Sequence, residues 1–222
     1  MSNIVIDFNH PFDPKLLDRC IQHRLPKFIS DAVLLLDISD IPLTDFNSIV
    51  ITKNGQWYIT HQTTTQLFHL LEANYPISYI LIKKIIKHFS KIHKKIPYCF
   101  GDFLYFPVYT STPHHHWCAY HHCIHHKKVG NTIHLYYDQS LEIIFPYQYA
   151  TAISTLKSYD SLLQTTKQIK QNLAIDSSHP TELSITQINQ LLLPIYLEEI
   201  NRISPYPLDT QTQKEVLKHF EE

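Results

Sequence analysis

Glycine, arginine and long apolar runs are what this chain has least of. Three glycines among 222 residues leave neither a GxGxxG nor a GxxxxGKS/T pattern, which excludes the common glycine-loop nucleotide sites. Arginine occurs only at Arg19, Arg24 and Arg202. No apolar run approaches the roughly 20 residues needed to span a bilayer. The opening MSNIVIDFNHPFD carries acids where a secretion signal needs a basic and then an apolar stretch, so the expected location is cytoplasmic, with no membrane partner. HExxH, GxSxG and paired CxxC motifs are all absent. Many cysteine–histidine pairings are possible but none has a specific signature, and carboxylates to orient an imidazole are sparse around the histidine-rich segment, so the chain reads as a non-enzyme without a cofactor. The four cysteines (Cys20, Cys99, Cys118, Cys123) read as reduced thiols in a core.

Hydrophobic residues make up 44% and aromatics 12%, enough for one substantial core. The formal net charge of -1 hides a polarised chain. Between residues 73 and 137 there are eight lysines and one acid, Asp102, a net of +7, so the remainder sums to -8. None of the arginines falls in this window, but ten of the 16 histidines do. A basic middle of this kind suits a phosphate-bearing or anionic-lipid partner.

The densest part of that window is residues 78–96, SYILIKKIIKHFSKIHKKI. At 3.6 residues per turn, Ile82, Ile85, Ile86, Phe89, Ile92 and Ile96 fall within one arc. Lys83, Lys84, Lys87, Lys91, Lys94 and Lys95 fall within the opposite arc. No acid interrupts the lysine face to form i,i+4 pairs. A solvated structural face usually mixes signs, so an all-lysine face is a candidate anion-binding surface. The same features would suit a cationic helix lying on a membrane, but the helix has no Trp and its apolar seam fits a core.

Around this helix the pattern is mixed. Asp13-Pro14 predicts a helix start, with the helix running to about residue 23. Residues 32–38 predict a strand. Residues 48–52 and 56–60 flank Asn54-Gly55, a strong hairpin signal. Thr63-x-x-Gln66 has capping-box form ahead of a helix to about residue 73. Residues 103–109 predict a strand whose Pro107 implies an edge or a bulge. Residues 116–126, 132–137 and 141–145 predict three more strands in an antiparallel meander. Residues 150–172 predict a helix, and further helices are expected from Ser184 and Thr210. From residue 139 onward there are six basic and ten acidic residues, so the tail is acidic.

Residues 114–126, HHHWCAYHHCIHH, hold seven histidines and two cysteines. If they form one strand, His114, His116, Cys118 and His122 share a face. These are the candidate ligands of an alternative reading, a protein with a structural or sensory zinc site. Strand alternation alone does not assemble a tetrahedral site, and no metal is assigned.

From residue 56 onward, short motifs recur in a familiar order. They are Trp57-Tyr58-Ile59, Ser78-Tyr79 before a basic segment, and Lys94-Lys95-Ile96-Pro97. Leu104-Tyr105-Phe106-Pro107 and Ser111-Thr112-Pro113 leading to Trp117 follow. In this order and spacing the chain resembles the ComK-type competence transcription factors over about residues 33–171. The resemblance departs at Ile80, Leu81 and Ile82, where family members often have a glycine and an arginine. It departs again at His115, where the family has a cysteine. The resemblance implies a cytosolic transcriptional activator of DNA-uptake genes. Such a protein binds paired A-rich and T-rich boxes largely through the minor groove, as an assembly of dimers. It also implies control by a proteolytic adaptor, for which the C-terminal region is the candidate.

The expectation is therefore an α+β protein. It would have an antiparallel sheet or partly closed barrel, an inserted basic amphipathic helix and C-terminal helices. Residues 1–30 would form a helical extension, 31–172 the DNA-binding domain and 173–222 an acidic helical extension. The candidate DNA contacts are the six helix lysines with Lys127 and Lys128. Trp57, Phe106, Trp117 and Phe145 are expected to pack in the core.

Overall fold

The structure is a computed structural model. It describes residues 4–10, 13–22, 25–27, 29–41, 44–73, 79–89, 96–100, 102–109, 115–138 and 141–172, with the single positions Leu193, Asp209, Gln211 and Thr212. The helices expected from Ser184 and Thr210 lie outside the described residues, apart from those single positions.

The fold is α+β, with two open sheets and no closed barrel. The strands are β1 (Ile4–Asp7), β2 (Ile21–Gln22), β3 (Ala32–Asp37), β4 (Ser48–Thr52), β5 (Trp57–Thr60), β6 (Tyr98–Phe100), β7 (Phe103–Tyr109), β8 (His115–Ala119), β9 (His125–Val129), β10 (Thr132–Tyr137) and β11 (Leu141–Ile144). The helices are α1 (Thr64–Glu72), α2 (Tyr79–Phe89) and α3 (Tyr149–Asn172). One sheet has seven strands in the order β2-β5-β4-β3-β8-β7-β6, and the other has four in the order β1-β11-β10-β9. Pairing is antiparallel except for β1 with β11 and β2 with β5.

Local chemistry explains the elements that the sequence signals. The β4–β5 hairpin turns at Asn54-Gly55, and Gly55 has φ 77, which favours glycine. Thr63 caps α1 with both bonds of the capping box. Pro107 lies past the end of three-residue β6, so its missing N–H takes nothing from that ladder.

Strand alternation divides the seven-stranded sheet into two buried faces. Trp117 of β8 stacks on Phe68 of α1 (centroids 3.9 Å apart, 14° between planes) and meets the Tyr79 ring of α2 edge-on. Its neighbour Cys118 points the other way and meets the Tyr137 hydroxyl of β10 at 3.0 Å. Phe106, on that same second face, packs on Phe145 and on Tyr159 of α3. The layers are thus α1 and α2, then the seven-stranded sheet, then the four-stranded sheet with α3. Trp57, Phe106, Trp117 and Phe145 are all core residues.

Three expectations need correction. The described residues within 1–30 do not form a helical extension: β1 joins the four-stranded sheet, β2 joins the seven-stranded sheet, and the one helical element described between them is a six-residue 3-10 helix, Pro14–Arg19. Residues 116–126 are not one strand. β8 ends at Ala119, a 3-10 turn at Tyr120–His122 follows, and β9 begins at His125 in the other sheet. The strand register therefore stops before His122, so His122 does not share a strand face with His116 and Cys118.

Candidate nucleic-acid interface

α2 forms because its apolar residues recur with helical period, and the burial follows that period. Ile82 and Ile86 are buried, Lys83 is half-buried, and Lys84 and Lys87 are exposed. The seam therefore belongs to the core and the lysines to the outside. Tyr79 anchors the first turn by donating its hydroxyl to the Ile96 carbonyl. The Lys83 ammonium lies 4.1 Å from the centre of the Tyr79 ring, a cation–π seat. Lys91, Lys94 and Lys95 lie outside the described residues.

β9 carries the other two candidates. It is an edge strand, and all five of its residues, His125 to Val129, are exposed. It is turned back onto β10 at Gly130, where φ is 59. Register sets the direction of each side chain. Lys127 pairs with His134, and Lys128 pairs with Ile133. Ile133 is on the core side, where the Lys128 ammonium lies 4.4 Å from the centre of the Tyr149 ring. Lys127 therefore points outward, in a row with His134, Ile144 and Asp7. His125 is also on the outward side and stacks on Tyr136 (4.5 Å, 11°).

Among the described residues, none of Lys83, Lys84, Lys87, Lys127 and Lys128 forms an ion pair. Elsewhere Lys53 is matched by Asp31 and Lys167 by Asp102, each at 2.8 Å. The structure does not gather the five into one patch. α2 lies over the Trp117 face of the seven-stranded sheet, whereas β9 belongs to the sheet on the Cys118 face. The split was not legible in the sequence because the strand break at Tyr120–His122 sends β8 and β9 into different sheets.

The histidine-rich segment is tied into the fold rather than gathered. His116 is buried against Phe8, and its Nδ1 accepts a 3.0 Å hydrogen bond from the Asp37 N–H. Burial pushes the Cys118 thiol well above its ordinary range, which opposes the thiolate a metal needs. His122 sits in the 3-10 turn, and His114 lies outside the described residues. Among the described residues, no group of three or more His, Cys, Asp or Glu side chains is placed to hold a metal ion. No helix among them is long and apolar enough to cross a membrane. Comparison with protein-family models, curated proteins and solved structures finds no match to this chain.

Proposed function

We propose that the chain is a DNA-binding transcriptional regulator with a preference for A/T-rich boxes, acting in the cytoplasm as a dimer or larger assembly. The observation that carries this reading is the set of five lysines with no carboxylate partner among the described residues, on two outward-facing elements, α2 and β9. Unneutralised lysines on ordered elements supply phosphate contacts and the counterion release that drives DNA association. Lys83 and Lys128 are steadied on aromatic rings, which reduces the freedom lost when they meet a phosphate.

The resemblance to ComK-type competence factors supports the activator role and the A/T preference. Its residues Trp57, Tyr105, Phe106 and Trp117 are buried here, so it bears on a shared core rather than on a contact surface. The C-terminal region remains the proposed site for a proteolytic adaptor. A zinc-site reading is not favoured, because His116 and Cys118 already have partners inside the fold.

The test is fluorescence anisotropy of the full chain on a duplex with A-rich and T-rich boxes and on a GC-rich duplex of equal length, across a salt series. The expected result is several-fold tighter binding to the A/T duplex, persisting as salt rises. K84A and K87A should each lower the salt slope by about one phosphate contact. Equal, steeply salt-sensitive binding would reduce the site to a basic patch. No binding at low salt would overturn the proposal.

A further inference from the structure

We propose that Ile80 is an apolar wedge that enters the minor groove of the A/T-rich duplex and opens a base step there, while Lys83, Lys84 and Lys87 hold the flanking phosphates. This rests on the DNA-binding reading and assigns the residue that deforms the duplex.

Ile80 stands on the wrong side of α2 for a core residue. At about 100° per residue it shares one arc, also about 100° wide, with Lys83, Lys84 and Lys87. The apolar seam of the helix runs elsewhere, through buried Ile82 and Ile86. Ile80 is 73% exposed, the most open large apolar side chain among the described residues. Core packing does not account for it.

The position is rigid. Its neighbour Tyr79 meets Phe68 and Trp117 edge-on, with ring centres 5.2 and 5.4 Å away, and donates its hydroxyl to the Ile96 carbonyl. A β-branched side chain in a helix is nearly confined to one χ1 rotamer, so little freedom is lost on insertion. The carboxylate at this end of α2, Glu72, already accepts from the Tyr79 N–H and pairs with His69 at 3.0 Å.

A cationic face with one apolar side chain at its centre fits an anionic partner that has an apolar slot. Duplex DNA has phosphates outside and base faces within. Aliphatic side chains that part base steps do so from the minor groove. TA steps unstack readily, and G·C sequence has none. A wedge therefore prefers A/T boxes without reading base edges.

Dimensions favour the end of the helix. The minor groove, about 6 Å wide, does not take a helix about 10–12 Å thick along its length. Ile80 is in the first turn of α2. Lys83 and Lys84 follow about 4.5 and 6 Å along the axis and Lys87 about 10.5 Å, which sets them at the phosphate rim.

An anionic bilayer is the weaker fit. Interfacial helices bury a whole apolar face in lipid. On α2 that face is occupied by the core, which leaves one isoleucine.

The experiment uses the full chain and an A/T duplex with the fluorescent adenine analogue 2-aminopurine at a central TA step. The same duplex with dyes at its ends reports bending by energy transfer. The expected results are at least a two-fold rise in aminopurine fluorescence, a shorter end-to-end distance and displacement by netropsin, which fills the A/T minor groove. I80A should lose the unstacking and the bend and bind the A/T duplex at least five-fold more weakly. Its salt slope, its affinity for the GC-rich duplex and its thermal stability should not change, because Ile80 is outside the core. I80L should retain most of the effect.

Binding without unstacking, or I80A binding the A/T duplex as tightly as the parent chain, would overturn this inference and leave the DNA-binding reading standing. Binding to vesicles of equal parts phosphatidylserine and phosphatidylcholine, lost in I80A, with no binding to any duplex, would overturn both and mark this face as a lipid contact.

Discussion

Trp117 and Cys118 are adjacent on β8, yet one packs against α1 and α2 and the other against the four-stranded sheet. This pair is where the three layers meet. Trp117 is 7% exposed, and its indole lies flat on Phe68 and edge-on to Tyr79. Trp117→Ala should therefore cost about 3–5 kcal/mol, the usual range for a large aromatic removed from a core. Urea unfolding followed by far-UV circular dichroism measures this. A loss below about 1 kcal/mol would show that α1 and α2 do not depend on the stack.

The α1 capping box provides a smaller and more local test. The Thr63 hydroxyl accepts from the Gln66 N–H, and the Gln66 side chain accepts from the Thr63 N–H. Thr63→Ala should lower stability by about 1 kcal/mol, while Thr63→Ser should retain most of it. The comparison of the two variants in urea separates the hydrogen bond from the methyl group.

All four cysteines are free thiols, and burial raises the pKa of each. Cys99 is pushed up to about 12 and touches the Thr166 hydroxyl at 3.2 Å, while Cys20 and Cys123 reach about 11. At pH 8 the native protein should show no fast-reacting thiol with a disulfide reagent such as DTNB. All four should react at once in guanidinium. A fast native equivalent would identify a thiolate that this structure does not contain.

How much of this was legible in the sequence follows from what each residue needs. Asn54-Gly55, Thr63-x-x-Gln66 and the period of Ile82 and Ile86 are local signals, and the elements they mark formed where expected. β1 and β2 were missed because two- and four-residue strands carry no periodic signal, and their partners, β5 and β11, lie far along the chain. The candidate lysines were found by composition, but their division between two layers was not. It depends on the turn at Tyr120–His122, where a run of histidines gives neither a glycine nor a proline to mark the break.

That turn also sets a pH dependence. The His121 ring lies edge-on to Phe103 (5.2 Å) and Tyr105 (5.0 Å) and beside His122 (4.1 Å). Its Nδ1 faces both the N–H and the carbonyl of Leu104, at 3.2 and 3.1 Å. Its Nε2 is buried with no hydrogen-bond partner among the described residues. A second proton would place an unsatisfied donor and a charge in that site. Burial, reinforced by the adjacent His122, lowers the His121 pKa from 6.5 to about 3; Asp102 opposes the shift and Lys53 adds to it. His122 is also lowered, chiefly by burial, with the Ser30 carbonyl, Asp31 and Asp138 opposing.

The unfolded chain takes up a proton near pH 6.5, whereas folded His121 does not do so until about pH 3. Its contribution to stability is therefore complete above pH 6.5 and is lost progressively as the pH falls toward 3. The slope from one such group is at most about 1.4 kcal/mol per pH unit. His121→Asn, whose amide can replace Nδ1 at Leu104, should be less stable at pH 7.5 but should lose less stability between pH 6.5 and pH 4.5. Urea midpoints of both proteins across that range measure the difference. Parallel declines would assign the acid sensitivity to a group other than His121, and a shallower decline in the variant would place it at the junction of the two sheets.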